Sequence, residues 1–128
     1  MEWRFDGGAP IYTQIVDAVR LAIVSGELPP GARLQGVREL ALEAGVNPNT
    51  MQRALSELER QGLLYTLRTA GRYVTGDEAV IRAARRELAG GYAAAFLTAM
   101  ERLGMEKSDM IKLLEADTRR YEHGNLGV

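Results

Sequence analysis

Four polar side chains fall at helical spacing within one short stretch of this sequence. The stretch GVNPNTMQRALSELERQG covers residues 45–62, and at about 100° per residue its Asn49, Gln52, Arg53 and Ser56 share one face. Side-chain amides pair with adenine edges and arginine pairs with guanine, so these residues have the chemistry that reads base edges. The alternative is an ordinary solvated helix face, because all four residue types are common on protein surfaces.

The sequence carries start and stop signals for a helix that would present this face. Asn47 is a favourable N-cap, Pro48 suits the first helical position, and Gly62 ends the pattern. The opposite face is apolar and is expected to face a core; its members are Met51, Ala54, Leu55 and Leu58. A shorter helical pattern over residues 37–44 precedes it across a turn at Gly45. The two patterns therefore form a helix-turn-helix candidate.

The flanking elements complete a small domain. A helix is expected to start at Pro10, with apolar residues every four positions, and to end at Gly26. Residues 63–69 and 72–75 are rich in β-formers and predict a hairpin, the layout of a winged helix. We therefore predict a mainly α fold with a small β-hairpin, in which a winged helix-turn-helix over residues 1–76 is followed by two C-terminal helices over residues 77–128.

The C-terminal helices carry more apolar surface than two helices can hide by themselves. Helical patterns run from about residue 77 to 103 and from 106 to 121, separated by Gly104. A second copy of the chain is the economical partner, because a two-fold dimer buries a self-complementary patch. The alternative is that both helices fold back on their own winged helix. The predicted dimerisation residues are Ile81, Leu88, Tyr92, Phe96, Leu103, Leu113 and Leu114.

A pair of glycines interrupts the first of these helices. Gly90 and Gly91 each cost about 1 kcal/mol relative to alanine inside a helix. Either the helix kinks there or another backbone packs closely, and we favour the kink.

The composition excludes several classes of protein. The 128 residues are 46% hydrophobic, which suffices for a core, and they contain no cysteine, so neither a disulfide framework nor a thiolate metal site is expected. The start of the chain resembles neither a signal peptide nor a membrane anchor, so we predict a cytoplasmic protein without membrane contact. We predict no catalytic residue, no metal and no cofactor. The lone His123 is expected to face solvent in a frayed tail.

The net charge of −1 does not by itself indicate a nucleic-acid partner, and the distribution of basic residues is more informative. Residues 1–76 contain eight basic residues, all of them arginine, against eight acidic ones. Arginine presents a planar fork that suits phosphate and guanine. Binding by this half of the chain must therefore depend on a local arginine cluster.

Three segments of the N-terminal part together resemble the GntR family of bacterial transcription regulators. The resemblance covers residues 9–75 and rests on APIYTQIVDAVRLAIVSGELPPGARL, VRELALEAGVNPNTMQRALSELERQGLL and TAGRYVT, in that order. The short two-helix tail is similar to the YtrA subfamily, in which that part is a dimerisation module. The resemblance implies a homodimeric regulator of transcription, here predicted to be a repressor, on an inverted-repeat operator of double-stranded DNA. The sequence leaves a small-molecule effector open and identifies none; the space between the C-terminal helices and the dimer interface are the two places considered for one.

The resemblance also assigns DNA contacts residue by residue. Arg38 matches the family arginine at the start of the second helix, where we expect it to hold phosphate, whereas Arg53 is expected to read a base or else to pair with Glu57. Asn47 fits a contact as well as a cap. Gly71 matches the glycine of the wing tip. The complete predicted DNA-binding set is Arg38, Asn47, Asn49, Thr50, Gln52, Arg53, Arg68, Gly71 and Arg72.

The chain departs from the family pattern at two places. Gln35-Gly36 stands where the family usually has Pro-Ser, which removes a hydroxyl but keeps a tolerable N-cap. Thr69-Ala70-Gly71 stands where the wing usually reads Gly-Lys-Gly, so Arg72 is expected to replace the missing lysine. The alternative function is a winged helix that docks a protein and binds no specific DNA.

Overall fold

The structure is a computed structural model that describes the backbone of residues 1–126 and the side chains of residues 1–119. Within residues 1–126 it contains five α-helices and one two-stranded antiparallel hairpin: α1 (Ile11–Val24), α2 (Val37–Ala44), α3 (Pro48–Arg60), β1 (Leu64–Leu67), β2 (Gly71–Val74), α4 (Glu78–Arg102) and α5 (Lys107–Leu126). This confirms the predicted fold class. α5 extends beyond the predicted end near residue 121, and the His123 side chain lies outside the described residues.

The apolar stripe of α3 lies at the centre of the core. Met51, Ala54, Leu55 and Leu58 are fully buried, and α3 packs against α1, α2 and β1. Ile15 and Val19 supply the fully buried positions of α1. The spacing of these residues in the sequence thus places one face of each helix inside.

Both ends of the turn before α3 are set by local chemistry. Gly45 ends α2 in the left-handed conformation at φ 71°, which a residue with a side chain rarely adopts. Two residues later the Asn47 side chain accepts a hydrogen bond from the Asn49 backbone N–H at 2.8 Å. This bond satisfies one of the free donors at the start of α3.

The hairpin is extended by the connector that follows α1. β1 pairs with β2 from Leu64 opposite Val74 to Leu67 opposite Gly71. On the other side of β2, Val74 N–H donates to the Ala32 carbonyl at 2.8 Å, and Leu34 N–H donates to the Arg72 carbonyl at 2.9 Å. This connector, residues 25–36, therefore fixes one edge of the wing.

The chain divides into two compact units, residues 1–88 and 89–128. The predicted boundary lay after residue 76, twelve residues earlier. It moves because the first turns of α4 belong to the N-terminal unit: Ile81 and Ala84 are both 6% exposed and join its core. Arg20 of α1, itself buried, pairs with Glu87 at 3.0 Å and holds the same segment.

Ile81 therefore needs a correction, because it was predicted to form a dimer interface. Its side chain packs against the core of its own chain. In the sequence, Ile81 and Leu103 belong to one apolar stripe with helical spacing. A spacing of 3.6 residues indicates which face of a helix is buried, but it does not indicate what covers that face.

Gly90 and Gly91 lie inside α4, which is helical through both residues. A Cβ atom added to either would meet nothing within 4 Å in the described chain. Close packing of another backbone from this chain is therefore not the reason for the two glycines.

A carboxylate joins the wing to α3. Glu59 of α3 accepts hydrogen bonds from the Thr66 hydroxyl of β1 and from Arg72 Nε of β2, the latter at 2.8 Å. The Thr66 hydrogen bond first, and then the Arg72 contact, lower the pKa of Glu59 from its ordinary value. The position of the wing relative to α3 is thus fixed by an ionised side chain as well as by apolar packing.

We predict that Glu59→Gln lowers the free energy of unfolding by about 1 kcal/mol near neutral pH, because partly exposed hydrogen bonds to a charged group are weakened. The folded-state pKa lies below the ordinary 4.5, so the stabilisation is complete above that pH and is lost as pH falls through the lowered value. Urea unfolding should show a difference between wild type and variant that shrinks below pH 4.5. Glu43→Gln, a change on exposed α2 surface, is the control, and a difference independent of pH would contradict the proposed cause.

Candidate nucleic-acid interface

Burial of one face of α3 turns the opposite face to solvent. Asn49, Gln52, Arg53 and Ser56 are all exposed, whereas Thr50 is partly buried. Gln52 Nε2 donates to the Ser56 hydroxyl at 3.1 Å, one turn further along the helix. The structure therefore brings the predicted amide, arginine and hydroxyl groups together on one accessible surface.

Arg53 does not pair with Glu57, the alternative left open by the sequence. Its guanidinium lies 3.7 Å from the centre of the Tyr12 ring of α1, a cation–π contact. Glu57 instead accepts from Arg60 Nε at 2.8 Å and from Gln61 at 3.2 Å. The Arg60 hydrogen bond and then that of Gln61 lower the pKa of Glu57 to about 2. Arg53 thus has no carboxylate partner among the side chains of residues 1–119.

Arg38 lies in the first turn of α2 and is exposed. Among residues 1–119 the structure describes no ion pair for its guanidinium. Gly36 caps α2 without a side-chain hydrogen bond, so the first backbone N–H groups of the helix stay open. Arginine and a helix start both favour an anion, which suits a phosphate.

The two wing arginines differ in how they are bound. Arg68 is exposed in the turn between β1 and β2. Arg72 is only 16% exposed at its side chain and already pairs with Glu59. The predicted replacement of the missing lysine by Arg72 would therefore have to break this ion pair.

Two residues near the site were not found by the sequence analysis. Tyr12 supports Arg53, and Arg33 lies against Gly71 at the wing turn. Each of the two contacts joins segments about forty positions apart in the chain, so helical or strand spacing could not reveal them. The one available signal for Tyr12 is its place in PIYTQI, because it is the one aromatic residue of α1.

The predicted dimerisation residues other than Ile81 are partly or largely exposed apolar side chains. Leu88 and Phe96 are partly buried. In the unit formed by residues 89–128, Tyr92 is 62% exposed, Leu103 is 72% exposed, and Leu113 and Leu114 are each nearly half exposed. Among residues 107–119 of α5, Met110 is the buried residue. This unit therefore leaves large apolar side chains uncovered within a single chain.

No helix in the described part of the chain is both long and apolar enough to cross a membrane. 

The sequence matches the family described as "Bacterial regulatory proteins, gntR family" over residues 11–74. The uncharacterised HTH-type transcriptional regulator YhcF of Bacillus subtilis is 35% identical over 118 residues, which is 92% of this chain and 98% of that protein. The HTH-type transcriptional repressor YtrA of the same organism is 44% identical over 66 residues, about half of each chain.

Two solved structures extend the comparison. A GntR family transcriptional regulator from Listeria monocytogenes has a TM-score of 0.80 and 38% identity, and the match covers 88% of this chain and 98% of that one. The DNA-binding domain of AraR, solved in complex with operator ORX1, has a TM-score of 0.54 and 29% identity over 59% of this chain and 96% of that one.

The family consists of transcription regulators and not of enzymes. These similarities agree with the fold, which is a winged helix-turn-helix. They also agree with the exposed polar face of α3. The chain belongs to the GntR family of DNA-binding bacterial transcription regulators and is related to its YtrA-like members.

Proposed function

We propose that this protein is a cytoplasmic transcriptional repressor that binds an inverted-repeat DNA operator as a homodimer. The observation that carries the proposal is the exposed face of α3, where Asn49, Gln52 and Arg53 lie together on a helix fixed by its buried side. A helix of this kind enters the major groove, where amide and guanidinium groups distinguish base pairs.

Phosphate contacts would position the helix in the groove. Arg38 at the start of α2 and Arg68 in the wing turn are exposed and flank α3 in the chain. Such contacts set register and orientation but carry no sequence information themselves. The proposed division of labour is therefore base reading by α3 and phosphate binding by α2 and the wing.

The dimer is supported by the apolar side chains of residues 89–128. Tyr92 and Leu103 would be among the most costly residues to leave in water, because each exposes most of a large side chain. A two-fold interface would cover them with their own copies. The assignment as a repressor is supported by YtrA, whose name describes it as one.

Two-fold symmetry has a direct consequence for the operator. One α3 from each subunit would enter successive major grooves on the same side of the DNA, about 34 Å apart. The site must then be an inverted repeat with half-site centres about 10 base pairs apart, or a multiple of that spacing.

We predict that binding depends on the phase of the two half-sites. The probe is the duplex that the full chain itself selects from a random pool. Insertion of about five base pairs between the half-sites turns one of them to the opposite face, so affinity in a gel shift should fall sharply. A shuffled duplex of the same composition is the control. Indifference to the insertion, or failure to select any duplex, would favour the protein-docking alternative.

We predict different effects for Arg38→Ala and Arg53→Ala. Loss of Arg38 should weaken binding to all sequences alike and lower the salt slope by about one, as expected for a phosphate contact. Loss of Arg53 should cost about 1–3 kcal/mol on the selected duplex and relax discrimination at one position. Fluorescence anisotropy over a salt series on selected and shuffled duplexes separates the two effects.

Arg60→Ala is the matched control for both changes. Arg60 is exposed on α3 but is already bound to Glu57, so its removal should leave DNA affinity close to wild type. If Arg38→Ala and Arg53→Ala left binding equally intact, the assignment of contacts would be refuted.

We predict that Tyr92→Asp with Leu103→Asp gives a monomer. Both side chains are exposed in the single chain, so the substitutions should spare its packing while placing four buried charges in a dimer interface. Light scattering at micromolar concentration reports the change, and affinity for the selected duplex should fall with it. Leu42→Asp, a change at an exposed leucine of α2, is the control for oligomeric state. A wild-type chain that scatters as a monomer would contradict the dimer.

A further inference from the structure

We propose that Arg33 supplies a second positive charge at the wing, in addition to Arg68 of the turn, and binds a DNA backbone phosphate beside Gly71. This inference rests on the proposed DNA-binding function and assigns to it a residue that lies outside the helix-turn-helix and outside the hairpin. The connector after α1 would then be part of the DNA-contacting surface.

The backbone places Arg33 at the wing by hydrogen bonds on both sides. Its neighbour Ala32 accepts from Val74 N–H at 2.8 Å, and its neighbour Leu34 donates to the Arg72 carbonyl at 2.9 Å. Arg33 itself forms a bridge opposite Tyr73 of β2. Its Cα therefore has a fixed position in the sheet, unlike that of a residue in a free loop.

The side chain then runs across the start of β2. A Cβ atom built on Gly71 would lie 3.1 Å from Arg33 Nε and 3.4 Å from a terminal guanidinium nitrogen. These distances are tight for a carbon contact, so the absence of a side chain at residue 71 makes room for the guanidinium. Gly71 also has φ +107°, so two independent reasons favour glycine at this turn.

The charge of Arg33 is available for a ligand. Arg33 is exposed, and among residues 1–119 no hydrogen bond or ion pair is described for its guanidinium. Arg72 and Arg60, in contrast, are bound to Glu59 and Glu57. Glu39 lines the same shallow recess as Arg33 without forming an ion pair with it.

A phosphate is the ligand that this geometry fits. The planar fork of arginine binds phosphate oxygens through two parallel hydrogen bonds. The turn Thr69-Ala70-Gly71 contributes no cation of its own, and Arg72 is engaged by Glu59. Arg33 thus places a free guanidinium next to Gly71, on the β2 side of the turn, whereas Arg68 lies on the β1 side.

The test compares wild type with Arg33→Gln and Arg33→Lys. Each protein is titrated with the self-selected duplex and with a shuffled duplex over a salt series. Arg33→Gln should weaken both complexes by a similar factor and lower the salt slope by about one, whereas Arg33→Lys should keep the slope. Arg60→Gln, on the neighbouring helix α3, should match wild type.

Single methylphosphonate substitutions in the selected duplex locate the contact. Neutralising one phosphate per half-site should weaken wild type by about the same factor as Arg33→Gln does. That penalty should disappear in Arg33→Gln, because the same contact cannot be lost twice. The proposal would be overturned if, at every phosphate position, the methylphosphonate weakened wild type and Arg33→Gln by the same factor. This holds even if Arg33→Gln also unfolds at a lower temperature.

Other outcomes separate this inference from the proposed function. If Arg38→Ala weakens binding while Arg33→Gln changes neither affinity nor salt slope, DNA binding stands and the role of Arg33 is refuted. If wild type binds neither duplex, the proposed function itself fails, and Arg33 has no DNA contact to make.

Discussion

The burial of one face of α3 is the constraint on which the rest of this structure depends. Met51, Leu55 and Leu58 have no exposed surface, and their removal from water fixes the rotation of the helix about its own axis. A rotation of one residue, about 100°, would bring polar side chains into the core at the cost of unpaired hydrogen-bonding groups. The outward direction of Asn49, Gln52 and Arg53 is thus decided by the apolar residues on the other side.

The position of α3 in turn determines the position of the wing, through the ionised side chain of Glu59. Glu59 reaches from the end of α3 to both strands of the hairpin, so the wing takes its position from the helix that it flanks. This contact removes Arg72 from the set of free cations. It leaves Arg33 and Arg68 as the exposed arginines near the wing, one from the connector and one from the turn.

The eight arginines of residues 1–76 consequently fall into two groups despite their identical chemistry. Four of them are bound to carboxylates: Arg4, Arg20, Arg60 and Arg72. The other four have no described carboxylate partner among residues 1–119: Arg33, Arg38, Arg53 and Arg68. A net charge of −1 is therefore compatible with DNA binding, because only the unpaired group presents its charge to a phosphate or base.

The amino-acid sequence by itself determined the helices, the turn and the outward face of α3. These features depend on local rules: Asn47 capping α3, Gly45 in the left-handed conformation and an apolar residue every three or four positions. Only the tertiary structure decided what each apolar or charged residue contacts. Ile81 was predicted to lie in a dimer interface but packs in its own core, and Arg33 had no predicted contact but lies against Gly71. Periodicity records which side of a helix is buried, whereas the identity of the partner depends on contacts between distant segments that no local pattern encodes.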